Sequence, residues 1–206
     1  KERKLTFMAD SGSRASRGLI VLPDGRAYFD SQRGTFTRYD PESNELAATE
    51  TRIPGNGTLR AATRLAENGM VYGFSMDGVV FAFDAKDETV REINKAFTAG
   101  RLYITACRLD PTEQYVYYVC GAHGRSRQQG SAVIRIDVKT GERTVLAFLN
   151  AYLREVRNYN LGGTYSLALS PSGDRLYIGW NGQKLGAARP NFGLCSAMLV
   201  HLAAEK

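Results

Sequence analysis

Leu109 to Leu149 reads LDPTEQYVYYVCGAHGRSRQQGSAVIRIDVKTGERTVLAFL, and this stretch decides the fold. Three strand signals lie in it. Tyr115 to Cys120 is an aromatic and β-branched run, Ala132 to Val138 is rich in Val and Ile, and Thr144 to Leu149 is a third apolar run. The connections between them differ. Lys139-Thr140-Gly141-Glu142 is a tight hairpin turn, with Gly141 available for the left-handed position. Gly121 to Gly130 is far longer than a hairpin requires, and long unstructured connections are usually functional or disordered.

Working outward, the same unit recurs. Pro23-Asp24-Gly25-Arg26-Ala27-Tyr28-Phe29 returns as Glu67 to Gly73, as Pro111 to Tyr118 and as Pro171 to Ile178, each a turn followed by a strand. A second element ends in an Asp-containing turn. It is Phe36 to Glu45, Val80 to Thr89 and Ile134 to Arg143, with a degenerate copy at Ala197 to Leu202. Asp40 and Asp84 are 44 residues apart, and Asp84 and Asp137 are 53 apart, stretched by the long connection. A strand also precedes each turn: Gly18–Leu22, Ala61–Leu65, Ile104–Leu109 and Tyr165–Leu169. The unit is therefore strand A, turn, strand B, loop, strand C, Asp turn, strand D. A four-stranded antiparallel meander at this period predicts an all-β β-propeller built of blades. Four blades are expected, at about 16–53, 58–97, 102–149 and 163–206. Small residues such as Ala61, Ala62, Ala106 and Ala168 on the A strands suit an inner position where blades converge.

The segments YYVCGAHG (117–124), VIRIDVKTGERTVLAFL (133–149) and GGTYSLALSPSGDRLYIGWNG (162–182) resemble bacterial β-propeller repeat proteins. The resemblance is to the quinoprotein-like and gluconolactonase-like superfamily, and within it to uncharacterised bacterial propellers of several hundred residues. It implies a propeller fold and no one activity, because propellers host many. It also leads to the expectation that these blades are the C-terminal portion of a seven- or eight-bladed ring. A missing segment or another chain would then complete the ring. The strand-like Lys4 to Ala9 is expected to belong to a preceding blade or to close the last one.

The 206 residues carry 27 Lys and Arg against 21 Asp and Glu, a net charge of +6. That mild basicity points to a solvated surface or an anionic partner. No dense basic run supports nucleic acid, and no apolar run approaches a membrane span. The sequence leaves the compartment open, with an extracytoplasmic site, periplasmic or secreted, the favoured one. Cys107, Cys120 and Cys195 fit no metal spacing. If the turn centres near Thr112, Cys107 faces about Tyr117, so no bridge to Cys120 is expected and the thiols read as buried.

Alternation of strand direction puts the A–B and C–D turns at one end of the blades and the B–C and D–A connections at the other. Every long connection falls at the second end: Gly121–Gly130, Asn150–Gly163 and Asn181–Cys195. Loops on a rigid scaffold usually carry the site. Asn150–Asn160 is expected to hold a short helix with Leu153 and Val156 on one face. The expected ligand-binding residues are Arg17, Arg125, Arg127, Tyr159, Trp180 and Arg189, for an anionic or sugar-like ligand or a protein partner. The alternative is a carbohydrate-active enzyme of the polysaccharide-lyase kind. His123 would take the proton α to a uronate carboxylate, Tyr165 or Tyr159 would protonate the leaving oxygen, and Arg125 or Arg17 would neutralise the carboxylate. No nucleophile elbow, phosphate loop or metalloprotease motif occurs, and no metal or cofactor is expected. His201, inside a strand, and the repeated Asp40, Asp84 and Asp137 read as structural.

Overall fold

The computed structural model describes residues 17–97, 104–121, 131–186 and 194–202. The first blade holds β1 (Ile20–Val21), β2 (Ala27–Asp30), β3 (Thr35–Asp40) and β4 (Glu45–Arg52). The second holds β5 (Leu59–Ala62), β6 (Met70–Ser75), β7 (Val79–Asp84) and β8 (Thr89–Lys95). The third holds β9 (Cys107–Leu109), β10 (Tyr115–Val119), β11 (Ala132–Asp137) and β12 (Arg143–Phe148). A helix, α1 (Leu149–Arg157), leads into β13 (Tyr159–Leu169), β14 (Arg175–Lys184) and β15 (Leu194–His201). Each sheet is an antiparallel meander in chain order, with four strands in the first three. The fourth has three strands among the described residues, where four-stranded blades were expected. Lys4 to Ala9 lies outside the described residues.

The blades begin and end where the turn chemistry dictates. The C strand of each of the first three blades ends in an Asp whose carboxylate accepts two backbone N–H groups of its own turn. Asp40 takes Glu42 and Ser43, Asp84 takes Lys86 and Asp87, and Asp137 takes Lys139 and Thr140. Four residues after the Asp, the chain enters the left-handed region at Asn44, Glu88 and Gly141 (φ 58°, 52° and 74°). The A–B turn of the third blade spans five residues, so Cys107 pairs with Tyr118 rather than with the expected Tyr117. Cys107 and Cys120 are buried free thiols, and burial pushes both up to about 12, which keeps them protonated and inert. Cys195 is an exposed free thiol, not a buried one.

Alternate residues of each strand point to opposite faces, and the cores form between blades, not within them. Tyr28 and Phe36 of the first blade meet Phe81 and Phe83 of the second. Tyr72 and Phe74 of the second meet Val116, Tyr118, Ile134 and Ile136 of the third. Tyr117, Val119 and Val133 of the third meet Leu176, Ile178 and Trp180 of the fourth. Among the described residues no fourth cluster joins the last blade to the first, so the blades form an open arc. The A strands lie innermost: β9 touches both β5 and β13.

Three turn carboxylates, Asp137, Asp24 and Asp174, also make stability depend on acid pH. Asp137 is held below the usual carboxylate range: partial burial raises it, but the hydrogen bonds from Thr140, Gln114 and Lys139 outweigh that. Asp24 and Asp174 are lowered by hydrogen bonds from Arg26 and from Ser172 and Ser170, respectively. A lowered folded pKa means the unfolded chain takes up protons first as pH falls. The stabilisation is therefore complete above the unfolded value of about 3.9 and is lost as pH drops through the folded values. Melting temperature is expected to hold between pH 7 and 5 and to fall near pH 3, with a smaller acid drop in Asp137→Asn. A melting temperature unchanged down to pH 3 would contradict this account.

Candidate functional site

The two ends of the blades are built differently. At the turn end four arginines are paired with carboxylates. Arg26 pairs with Asp24, Arg38 with Glu88 across two blades, Arg64 with Glu113 across two blades, and Arg175 with Asp174, at 2.8, 2.7, 2.5 and 3.6 Å. Glu88 also accepts the Tyr28 hydroxyl at 2.9 Å, and its backbone carbonyl accepts the Thr51 hydroxyl. Burial, then the Glu88 carboxylate, pushes the Tyr28 phenol up to about 12. Glu113 accepts the backbone N–H of Glu67 as well. These contacts stitch neighbouring blades together.

Five arginines at the loop end carry no carboxylate partner among the described residues. They are Arg17, Arg33, Arg52, Arg154 and Arg157. A cleft of about 500 Å³ opens there between the first two blades, lined by Gln32, Arg33, Arg52, Asn56 and Glu92. Its floor is a close backbone crossing of Gly34 and Gly57: a Cβ on Gly57 would lie 2.6 Å from the Gly34 Cα. Sequence reasoning passed over Arg33 and Arg52 because their connections are short. The signal available was the run of Gly34, Gly55 and Gly57 around two arginines.

The helix α1 lies at the same end. It ends at Asn158, which takes the left-handed conformation (φ 51°) while its N–H bonds the Leu153 carbonyl. Leu149 and Leu153, four apart, are its buried stripe. Val156 was expected beside Leu153 but is exposed, as are Tyr152 and Phe148. The helix stands where a short one was expected, and β13 begins at Tyr159, inside the connection expected to run to Gly163.

Four of the eight expected site residues are described. Arg17 and Tyr165 are brought together from the first and fourth blades, with the guanidinium 5.9 Å from the ring centroid. Tyr159 and Trp180 are instead built into the packing of the third and fourth blades. The Tyr159 hydroxyl donates to the Leu194 carbonyl at 2.9 Å, and its ring fills the space beside Gly182. The Trp180 indole N–H is buried with no acceptor among the described residues, and the Thr164 hydroxyl opposite it in register has no partner among them either. Trp180→Phe is therefore expected to leave stability within about 1 kcal/mol of the parent, because the lost ring area is offset by removal of an unsatisfied donor. A loss above about 3 kcal/mol in denaturant unfolding would show that the indole nitrogen is bonded. His123, Arg125, Arg127 and Arg189 lie outside the described residues. His201 is in β15 and exposed.

Among the described residues no group of three or more His, Cys, Asp or Glu side chains is placed to hold a metal ion. No helix there is long and apolar enough to cross a membrane.

No protein-family model and no curated protein matches the chain. Solved structures do. The extracellular domain of the putative one component system BT4673 from B. thetaiotaomicron superposes with a TM-score of 0.56 at 14% identity, over 100% of this chain and 24% of that one. A Bacteroides thetaiotaomicron VPI-5482 protein of unknown function gives 0.58 at 17% identity, over 81% of this chain and 40% of that one. The β-propeller domain of Myceliophteria thermophila Cps50 (Swd1) gives 0.56 at 15% identity, over 87% and 54%. The fold is a β-propeller fold. The chain spans from about a quarter to about half of these neighbours' lengths.

Proposed function

We propose that the protein is a binding platform whose loop end takes an anionic, sugar-like ligand such as a uronate-bearing polysaccharide. One observation carries the reading: four ion pairs lie at the turn end, while five arginines at the loop end have no carboxylate partner among the described residues. A guanidinium offers a planar fork that suits a carboxylate, and desolvating it is favourable only against an anion. The Arg33–Arg52 cleft and the aromatic Tyr165 beside Arg17 supply charge and a flat apolar surface, the two features a sugar acid recognises.

Calorimetric titration with polygalacturonate is the test, with neutral dextran as the control. Polygalacturonate is expected to bind and dextran not. Arg33→Glu with Arg52→Glu is expected to weaken binding at least about tenfold, as is raising the salt from 0.05 to 0.5 M. Equal binding of both polymers, or no effect of the double charge reversal, would remove the proposal. A second reading, a lyase, draws support from Arg17 beside Tyr165, which pairs a carboxylate neutraliser with a proton donor. Incubation with uronate polymers followed at the absorbance of unsaturated uronates decides it. Activity unchanged in Tyr165→Phe and in His123→Ala would end that reading.

A further inference from the structure

A second cleft, of about 540 Å³, opens towards the turn end of the blades. Its walls come from the innermost strands and the turns that follow them. Arg64 lies just beyond β5 in the second blade, Arg108, Leu109 and Pro111 belong to the third, and Leu169 and Pro171 to the fourth. Both arginines sit in blades that have a packed neighbour on either side.

The charges at this cleft do not cancel. Arg64 is paired with Glu113, and its guanidinium also donates to the Leu65 carbonyl at 3.0 Å. Glu113 is fixed in turn by the Glu67 N–H. Arg108 is exposed and forms no ion pair among the described residues; its guanidinium donates to the Cys107 carbonyl at 2.7 Å. Asp110, two residues on, is buried and keeps its carboxylate within its own turn. It accepts the backbone N–H groups of Thr112 and Tyr115 and the Thr112 hydroxyl. Arg64, Glu113 and Arg108 together leave one positive charge at the cleft.

The backbone adds a donor. β9 is an edge of its sheet, and the Asp110 N–H bonds the Tyr115 carbonyl of β10 at 2.9 Å. Bonding alternates along an antiparallel pair, so Leu109, one residue earlier and opposite Val116, turns its N–H away from β10 to the open side of the edge. The leucine and proline walls are apolar. A concave site with apolar walls and a few convergent polar groups is the usual form of a small-molecule site.

We propose that this cleft binds a monocarboxylate carried on an apolar body. The Arg108 fork takes the carboxylate, and the leucine and proline walls take the body. One unbalanced positive charge matches one carboxylate, and the planar guanidinium matches its two oxygens. Arg64, held by Glu113, bounds the cleft on the second-blade side. The site is separate from the Arg33–Arg52 cleft at the loop end and does not rest on the polysaccharide reading.

Calorimetric titration of the full chain with phenylbutyrate tests it, with the uncharged phenylbutyramide as control. The acid is expected to bind at least about tenfold more tightly than the amide. Arg108→Gln is expected to bring the acid down to the level of the amide, with circular dichroism unchanged because Arg108 is exposed. Arg108→Lys keeps the charge without the fork and is expected to fall between the two; it also serves if Arg108→Gln misfolds. Arg33→Glu with Arg52→Glu is expected to leave phenylbutyrate binding unchanged. Equal binding of acid and amide, or no binding of the acid up to about 10 mM, would overturn the proposal. So would acid binding that survives intact in both Arg108 variants. Loss of acid binding in the loop-end double variant alone would assign the carboxylate to the other cleft and overturn it as well.

Discussion

Phe83→Ala is expected to destabilise the protein by about 3–5 kcal/mol, the range for emptying a fully buried aromatic site. Phe83 has no exposure and is the hub of the first join. Its ring lies 5.0 Å from that of Tyr28 and 4.8 Å from that of Phe36, both from the neighbouring blade. The surrounding rings are held by their own strands, so the space collapses only in part. The location of the loss matters as much as its size. Blades touch only their neighbours, and stability in such arrays is close to a sum of unit and interface contributions. The first blade has one packed join among the described residues, so weakening it should release β2 and β3 before the rest. Hydrogen exchange in Phe83→Ala is expected to accelerate at β2–β3 amides while β10–β11 amides, which belong to the second and third joins, keep their protection. A loss below about 1 kcal/mol, or equal acceleration everywhere, would contradict the model of separate joins.

The same modularity explains what the sequence revealed and what it hid. Strand positions in the second and third blades were legible because Tyr72, Val80 to Phe83 and Ile134 to Ile136 keep a period of two between recognisable turns. Asp40, Asp84 and Asp137 were legible as turn residues because their partners are local, two and three residues on. Contacts across blades left no such trace. Glu88 stands where the other turns have Asn44 or Gly141, in a backbone conformation a glutamate adopts at some strain. What favours it there is remote: the Tyr28 hydroxyl and the Arg38 guanidinium, 60 and 50 residues away in the chain. Trp180 was misread for a related reason. A Trp beside a long loop resembles a ligand platform in sequence, but the strand period places it with Leu176 and Ile178 on the buried face of β14. The contrast between tied arginines at one end and untied ones at the other was likewise invisible, since it depends on which carboxylates the blades bring close.

Gly57→Ala is expected to be nearly as damaging as the loss of Phe83, and through a different physical route. Gly57 has a φ of 77°, so any Cβ there meets the left-handed penalty of about 1–2 kcal/mol. It also crosses the first blade's loop at Gly34, where the added Cβ would lie 2.6 Å from a backbone Cα. A side chain would rotate away from such a contact, but backbone cannot do so without moving the loop. Gly69 separates the two effects. Its φ is 82°, yet a Cβ there would find nothing within 4 Å. Gly69→Ala should therefore show the conformational penalty alone, about 1 kcal/mol, and Gly57→Ala at least about 2 kcal/mol more. The excess also has a functional reading, because the crossing is the floor of the Arg33–Arg52 cleft. Gly57→Ala is expected to weaken polygalacturonate binding at a temperature where the fold is intact, while Gly69→Ala leaves it unchanged. Equal stability losses in the two variants would mean that the loops part freely. The cleft would then have no fixed floor on which to hold its two arginines.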